Sequence, residues 1–139
     1  MKRTSTAHWA GTGKEGKGTM STASGVLNNN PYSWHSRFEN ATGTNPEELI
    51  AAAHAGCFSM KLSFVLVAAG FTASSIETKC TITIEDGTIR TSDLEVTASV
   101  PGIDSATFTK CAEEAKETCP VSKLLKPGLT ISLKASLAS

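Results

Sequence analysis

The stretch from Asn45 to Gly70 constrains the fold most. Asn45-Pro46-Glu47-Glu48 is a helix start: asparagine caps, proline suits the first helical position, and two carboxylates sit at the positive end of the dipole. From Leu49 to Met60 the only polar side chains are His54 and Ser59, and the pattern runs on to about Ala69. Gly70 then supplies the residue that commonly ends a helix in the left-handed conformation. Ile50, Ala53, Cys57, Met60, Phe64 and Val67 share one broad stripe, while Leu49, Ala52 and Leu66 make the other side apolar too. Such a helix is expected to be covered on most sides, deep in the molecule or in an oligomer. The longest apolar run, Leu62 to Phe71 with Ser63 inside it, falls short of the roughly 20 residues that span a bilayer. No membrane partner is expected.

Shorter elements flank this helix. Thr19–Thr22 and Pro31–Phe38 are candidate strands, with turns at Ser24-Gly25 and Asn28-Asn29-Asn30-Pro31. Gly11, Gly13, Gly16 and Gly18 read as a flexible early segment, without the strand-to-helix switch of a phosphate loop. Ile76–Glu85 alternates, Asp86-Gly87 signals a hairpin, and Leu94, Val96, Ala98 and Val100 alternate in the partner strand. A second helix is expected over Ser105–Thr118, capped by Asp104 or Ser105. Cys119-Pro120 breaks it, because a residue before proline avoids helical geometry, and Pro120 opens a short helix to Leu125. Leu129, Ile131, Leu133, Ala135 and Leu137 alternate in a last strand. With no repeat or linker, residues 1–139 read as one α+β domain, its antiparallel sheets set around two main helices.

Charge narrows the partners. Thirteen basic and 13 acidic residues give a formal net charge of zero, which argues against a nucleic-acid binder. The N-terminus lacks the apolar stretch of a secretory signal, so the cytoplasm is the expected compartment. Thiols there are normally reduced, and a disulfide that forms is usually transient and catalytic. The four cysteines therefore need explaining.

Cys80, on the apolar face of a strand, and Cys111, on a helix face with Phe108 and Ala115, read as small core residues. Cys57 lies mid-helix among small neighbours that leave room for another molecule. It is beyond the first turn where the dipole acts, so a thiolate there needs a cation from elsewhere. Burial as plain core is the competing reading. Cys119, before Pro120, sits where free backbone N–H groups can stabilise a thiolate, or it merely packs. No Cys-x-x-Cys is present, and the His54–Cys57 pair is at most half of a metal site.

Specific motifs go further. Ala7-His8-Trp9, Gly16-Lys17-Gly18-Thr19, Pro31-Tyr32 with Arg37-Phe38-Glu39, the stretch Gly43 to Met60, Val100-Pro101-Gly102-Ile103 and Cys119-Pro120-Val121-Ser122 resemble the OsmC (osmotically inducible protein C) branch of the OsmC and organic-hydroperoxide-resistance superfamily. The resemblance covers nearly the whole chain. It implies a thiol peroxidase, an intertwined homodimer of α+β subunits, that prefers organic hydroperoxides to hydrogen peroxide. By matching positions, Cys57 is the peroxidatic thiol, Cys119 the resolving thiol, Arg37 the cation that stabilises the thiolate, and Glu47 the carboxylate that orients Arg37. The implied partners are a hydroperoxide and an external dithiol or lipoyl-type reductant, with no cofactor or metal. Stress-response roles, oxidative and osmotic, follow from the same resemblance.

Two consequences are geometric. A Cys57–Cys119 disulfide requires the end of the second helix to pack beside the middle of the first. Glu47 and Cys57, ten residues apart on one regular helix, are separated by about 15 Å along its axis. Arg37 must then bridge them, or Glu47 serves a partner subunit. Phe38, Phe58, Val121 and Leu125 are expected to wall an alkyl-binding pocket. The competing functions are a non-catalytic redox sensor, which sustained turnover excludes, and a small-molecule binding protein, for which Cys57 would be dispensable.

Overall fold

In a computed structural model, residues 1–138 are described and fall into two compact units that meet at Leu49/Ile50. The first carries strands β1 (Ser5–Ala10), β2 (Lys17–Thr22) and β3 (Asn30–Tyr32) in one antiparallel sheet of that order, then the short helix α1 (Trp34–Phe38). Pro31–Phe38 is thus not one strand. Ser33 accepts a hydrogen bond from Ser36 N, and the Ser36 side chain accepts from Ser33 N. That capping box turns the chain into a helix directly after β3. Of the early glycines, Gly16 and Gly18 serve packing, whereas Gly13 has open space around it. A Cβ on Gly18 would lie 2.5 Å from Tyr32 Cε1 and 2.6 Å from Trp9 Cε3, so only glycine lets these two rings close over the strand.

The long helix α2 (Pro46–Ala68) begins in the first unit and runs into the second. Its ends are the expected ones. Glu48 N donates to Asn45 Oδ1 at 2.8 Å. At the other end Gly70 N donates to Val67 O and Phe71 N to Leu66 O, around a Gly70 with φ +91°.

In the second unit, β4 (Ser75–Glu85) and β5 (Thr88–Ser99) form an antiparallel hairpin through Asp86-Gly87, both at positive φ as a two-residue turn demands. Helices α3 (Ser105–Thr118) and α4 (Pro120–Leu125) follow, and β6 (Thr130–Leu137) closes the sheet beside β5. Here the expectation of antiparallel sheets needs correcting, because β6 runs parallel to β5. Residues 105–125 form the helical crossover that a parallel pair needs, where a tight hairpin would have reversed the strand. The architecture is α+β.

Phe58, Leu62, Val65 and Leu66 of α2 join Leu94, Val96 and Ala98 of β5 and Phe108, Ala112 and Ala115 of α3 in the core. The face of α2 that enters is therefore the His54–Phe58–Leu62–Val65 side. Met60, Phe64 and Val67, from the stripe singled out in the sequence, are 65%, 66% and 62% exposed. At 23 residues α2 has the length and apolarity of a bilayer-spanning helix. Only 28% of its most apolar stretch is buried, so within the subunit it is not covered on most sides as the sequence suggested, and the buried part forms this core.

Candidate active site

Two groups of candidate residues lie one in each unit. In the first, Arg37 on α1 places Nε 2.8 Å and Nη2 2.6 Å from one carboxylate oxygen, Glu47 Oε1, in the first turn of α2. The carboxylate is nearly buried, at 10% side-chain exposure, while the guanidinium is 38% exposed. Glu47 Oε2 is buried and has no partner among the described residues. Arg37 is thus oriented from one side and keeps part of its charged fork open to an incoming group. It lines a cavity of about 260 Å³ with Trp9, Tyr32, Trp34 and Phe38. Phe38 lines this cavity, which is as polar as it is apolar and includes neither Val121 nor Leu125.

In the second unit, the Cys57 and Cys119 sulfurs share a hydrogen bond across 3.0 Å, and both are free thiols. Cys119 is fully covered and Cys57 only half-buried. The packing expected of a resolving pair is present: the end of α3 meets the middle of α2. Pro120 decides this locally. It stops α3 and opens α4 with Cys119 as the shared cap, so the thiol falls at the corner. Burial pushes the Cys57 thiol above its usual range, and the bond to Cys119 pushes it further. The Val121 backbone N–H, which donates to it, and the charge of Lys61 act the other way. Lys61 escaped the sequence reading although it lies at the i+4 position from Cys57.

His54 is not half of a metal site. It is wholly buried, with Nδ1 2.6 Å from Ser92 Oγ and Nε2 2.8 Å from Ser122 Oγ, so both ring nitrogens are occupied. Burial lowers its pKa and keeps it neutral. Ser92 Oγ also lies 3.2 Å from Cys80 Sγ. Cys111 is buried in the core, as expected, and Cys80 is half-buried against it. Phe58 is 0% exposed and walls no pocket, which corrects that expectation. Its side chain follows His54 into the core.

The sequence profile described as OsmC-like protein matches residues 39–134, and the peroxiredoxin OsmC of Escherichia coli K12 is 50% identical over 129 residues, 90% of each chain. The chain belongs to the OsmC-like family. Within that family it is a cysteine-based peroxidase. Solved structures of the family share the fold. An OsmC-like protein from Mycoplasma pneumoniae superposes with a TM-score of 0.76 at 15% identity, covering 100% of this chain and 99% of its own. The organic hydroperoxide resistance protein OhrB of Bacillus subtilis gives 0.65 at 23% identity, over 95% and 97%. The OsmC-like assignment itself rests on the sequence identity, the structures adding the fold.

Proposed function

We propose that this peroxidase reduces organic hydroperoxides, and hydrogen peroxide less well, by a two-cysteine cycle in which the whole chain acts as one domain. The thiolate of Cys57 attacks the distal peroxide oxygen. The O–O bond breaks, the alkoxide leaves and takes a proton as alcohol, and Cys57 becomes a sulfenic acid. The Cys119 thiol attacks that sulfur, water leaves, and a Cys57–Cys119 disulfide forms. An external dithiol, lipoyl-type in chemistry, reduces the disulfide by exchange and restores both thiols.

The observation that carries this reading is the 3.0 Å approach of a half-buried to a fully covered thiol. The partly exposed sulfur is the one a substrate can reach, and the covered one needs to move by about 1 Å to reach disulfide bonding distance. Arg37 supplies the charge that favours the Cys57 thiolate, and Glu47 orients it. This matters because the burial of Cys57 works against ionisation. The name of OhrB, an organic hydroperoxide resistance protein, favours organic substrates, and the aromatic recess beside Arg37 offers them apolar surface.

The active form is a homodimer. Met60, Phe64 and Val67, spaced to lie on one face of α2, form an uncovered apolar stripe of the kind that interfaces use. Four free cysteines suit a reducing compartment, the cytoplasm. The deciding experiment is dithiol-dependent turnover of cumene hydroperoxide and of hydrogen peroxide. Wild type is expected to turn over repeatedly and to prefer the organic substrate. Cys57→Ser is expected to be inactive, and Cys119→Ser to turn over poorly while accumulating oxidised Cys57. Wild-type activity in Cys57→Ser would overturn the reading.

A further inference from the structure

The core of the second unit is apolar except where His54, Ser92 and Ser122 cross it, all at or near 0% exposure. Leaving such groups unpaired in a core costs about 1–3 kcal/mol each, so their mutual hydrogen bonds direct how the surrounding elements settle. His54 precedes Cys57 by three residues on α2, and Ser122 follows Cys119 by three. The 2.8 Å His54–Ser122 bond and the 3.0 Å Cys57–Cys119 approach are therefore two rungs between the same pair of segments, about one helical turn apart. Ser122 is also the one buried residue of α4. The other end of the imidazole is held by Ser92 on β5, so the ring cannot follow α4 if α4 shifts.

We propose that His54 is a positioning residue for the thiol pair: by gripping Ser122 while anchored on Ser92, it holds the Cys119–Ser122 corner in the register that brings Cys119 onto Cys57. This rests on the two-cysteine cycle proposed above. The same register sets the Val121 N–H on the Cys57 sulfur, one residue before the gripped serine. A neutral ring suits the task, since one nitrogen donates while the other accepts. A shift of about 1 Å at this corner is enough to slow a proximity-driven step by one to two orders of magnitude.

The test measures Cys57–Cys119 disulfide formation in single turnover, with cumene hydroperoxide in one arm and diamide in the other. Diamide takes up the two thiol hydrogens as the disulfide forms and requires no peroxidase chemistry. In Ser122→Ala and His54→Leu the step is expected to slow about tenfold or more in both arms. In His54→Gln, whose side-chain amide nitrogen falls near the position of Nε2, it stays within about threefold of wild type. In a Cys119→Ser background, Ser122→Ala is also expected to move the pH profile of Cys57 alkylation upward. A folded Ser122→Ala that closes the disulfide at the wild-type rate, even with a lowered melting temperature, would overturn the proposal. Wild type that closes it with diamide but never with hydroperoxide would instead count against the peroxidase cycle and leave the role of His54 measurable.

Discussion

Cys57 and Cys119, 62 positions apart in the chain, stand sulfur to sulfur at 3.0 Å as free thiols. Neither helix alone creates this contact. It depends on Pro120 ending α3 at the level where α2 presents Cys57. What chemistry the pair does is then set by which charges reach the sulfur that solvent can touch.

Burial raises the Cys57 thiol, and the Lys61 charge opposes it. The thiolate is the reactive form, so alkylation and peroxide reduction should both speed up as pH rises. Lys61→Met removes a favourable charge and should move the alkylation profile of Cys57 to higher pH. Arg37→Met should do the same and, on the proposed cycle, lower peroxide turnover at pH 7 by at least about tenfold. An iodoacetamide profile recorded for each variant checks the sign, and an unmoved profile would remove that residue from the account.

Glu47 is nearly buried and its Oε1 takes both bonds from Arg37. Removing the guanidinium leaves that carboxylate poorly compensated. Arg37→Met should therefore destabilise the protein more than the double variant Arg37→Met/Glu47→Gln, in which the charge goes too. Urea melts of the two single variants and the double one form the cycle that measures this coupling. Additivity of the two changes would mean that the pair is not a unit.

Phe58 and Phe64 are six residues apart on α2 with opposite surroundings, 0% and 66% exposed. Phe58→Ala should cost about 3–5 kcal/mol of stability, the usual range for a buried phenylalanine. Phe64→Glu should cost little in the subunit itself and split the proposed dimer. Sedimentation velocity reads the second outcome. A stable Phe64→Glu dimer would place the interface elsewhere.

His54 is buried and neutral, with its pKa lowered by burial. The unfolded chain binds a proton at this position below about pH 6.5 and the folded chain does not. Stability from this site is therefore complete above pH 6.5 and falls as the pH drops below it, by at most about 1.4 kcal/mol per pH unit. In His54→Gln this part of the acid slope should disappear. Urea midpoints between pH 5 and 7.5 provide the comparison.

Local signals carried far in this chain. Asn45, Pro46 and Gly70 mark the ends of α2, Asp104 caps α3 through Thr107 N, and Pro120 opens α4, each because capping chemistry is short-range. Pro31–Phe38 misled as a strand because Ser33 and Ser36 close a capping box that outweighs the local apolar pattern. The direction of β6 was also hidden, since alternation in a strand reads the same whether its neighbour is parallel or antiparallel.

The sequence by itself determined the helices α2, α3 and α4, the β4–β5 hairpin, the family and the identity of the cysteines worth watching, because helix caps, alternation and motif spacing are written in neighbouring residues. Only the tertiary structure decided which face of the apolar helix is core. Met60, Phe64 and Val67 and the set His54, Phe58 and Leu62 lie on nearly opposite faces of one helix, and hydrophobicity alone does not rank them. The choice comes from what β5 and α4 offer. Ser92 and Ser122 can satisfy a buried imidazole, and a helix face whose polar group is satisfied can enter a core without penalty.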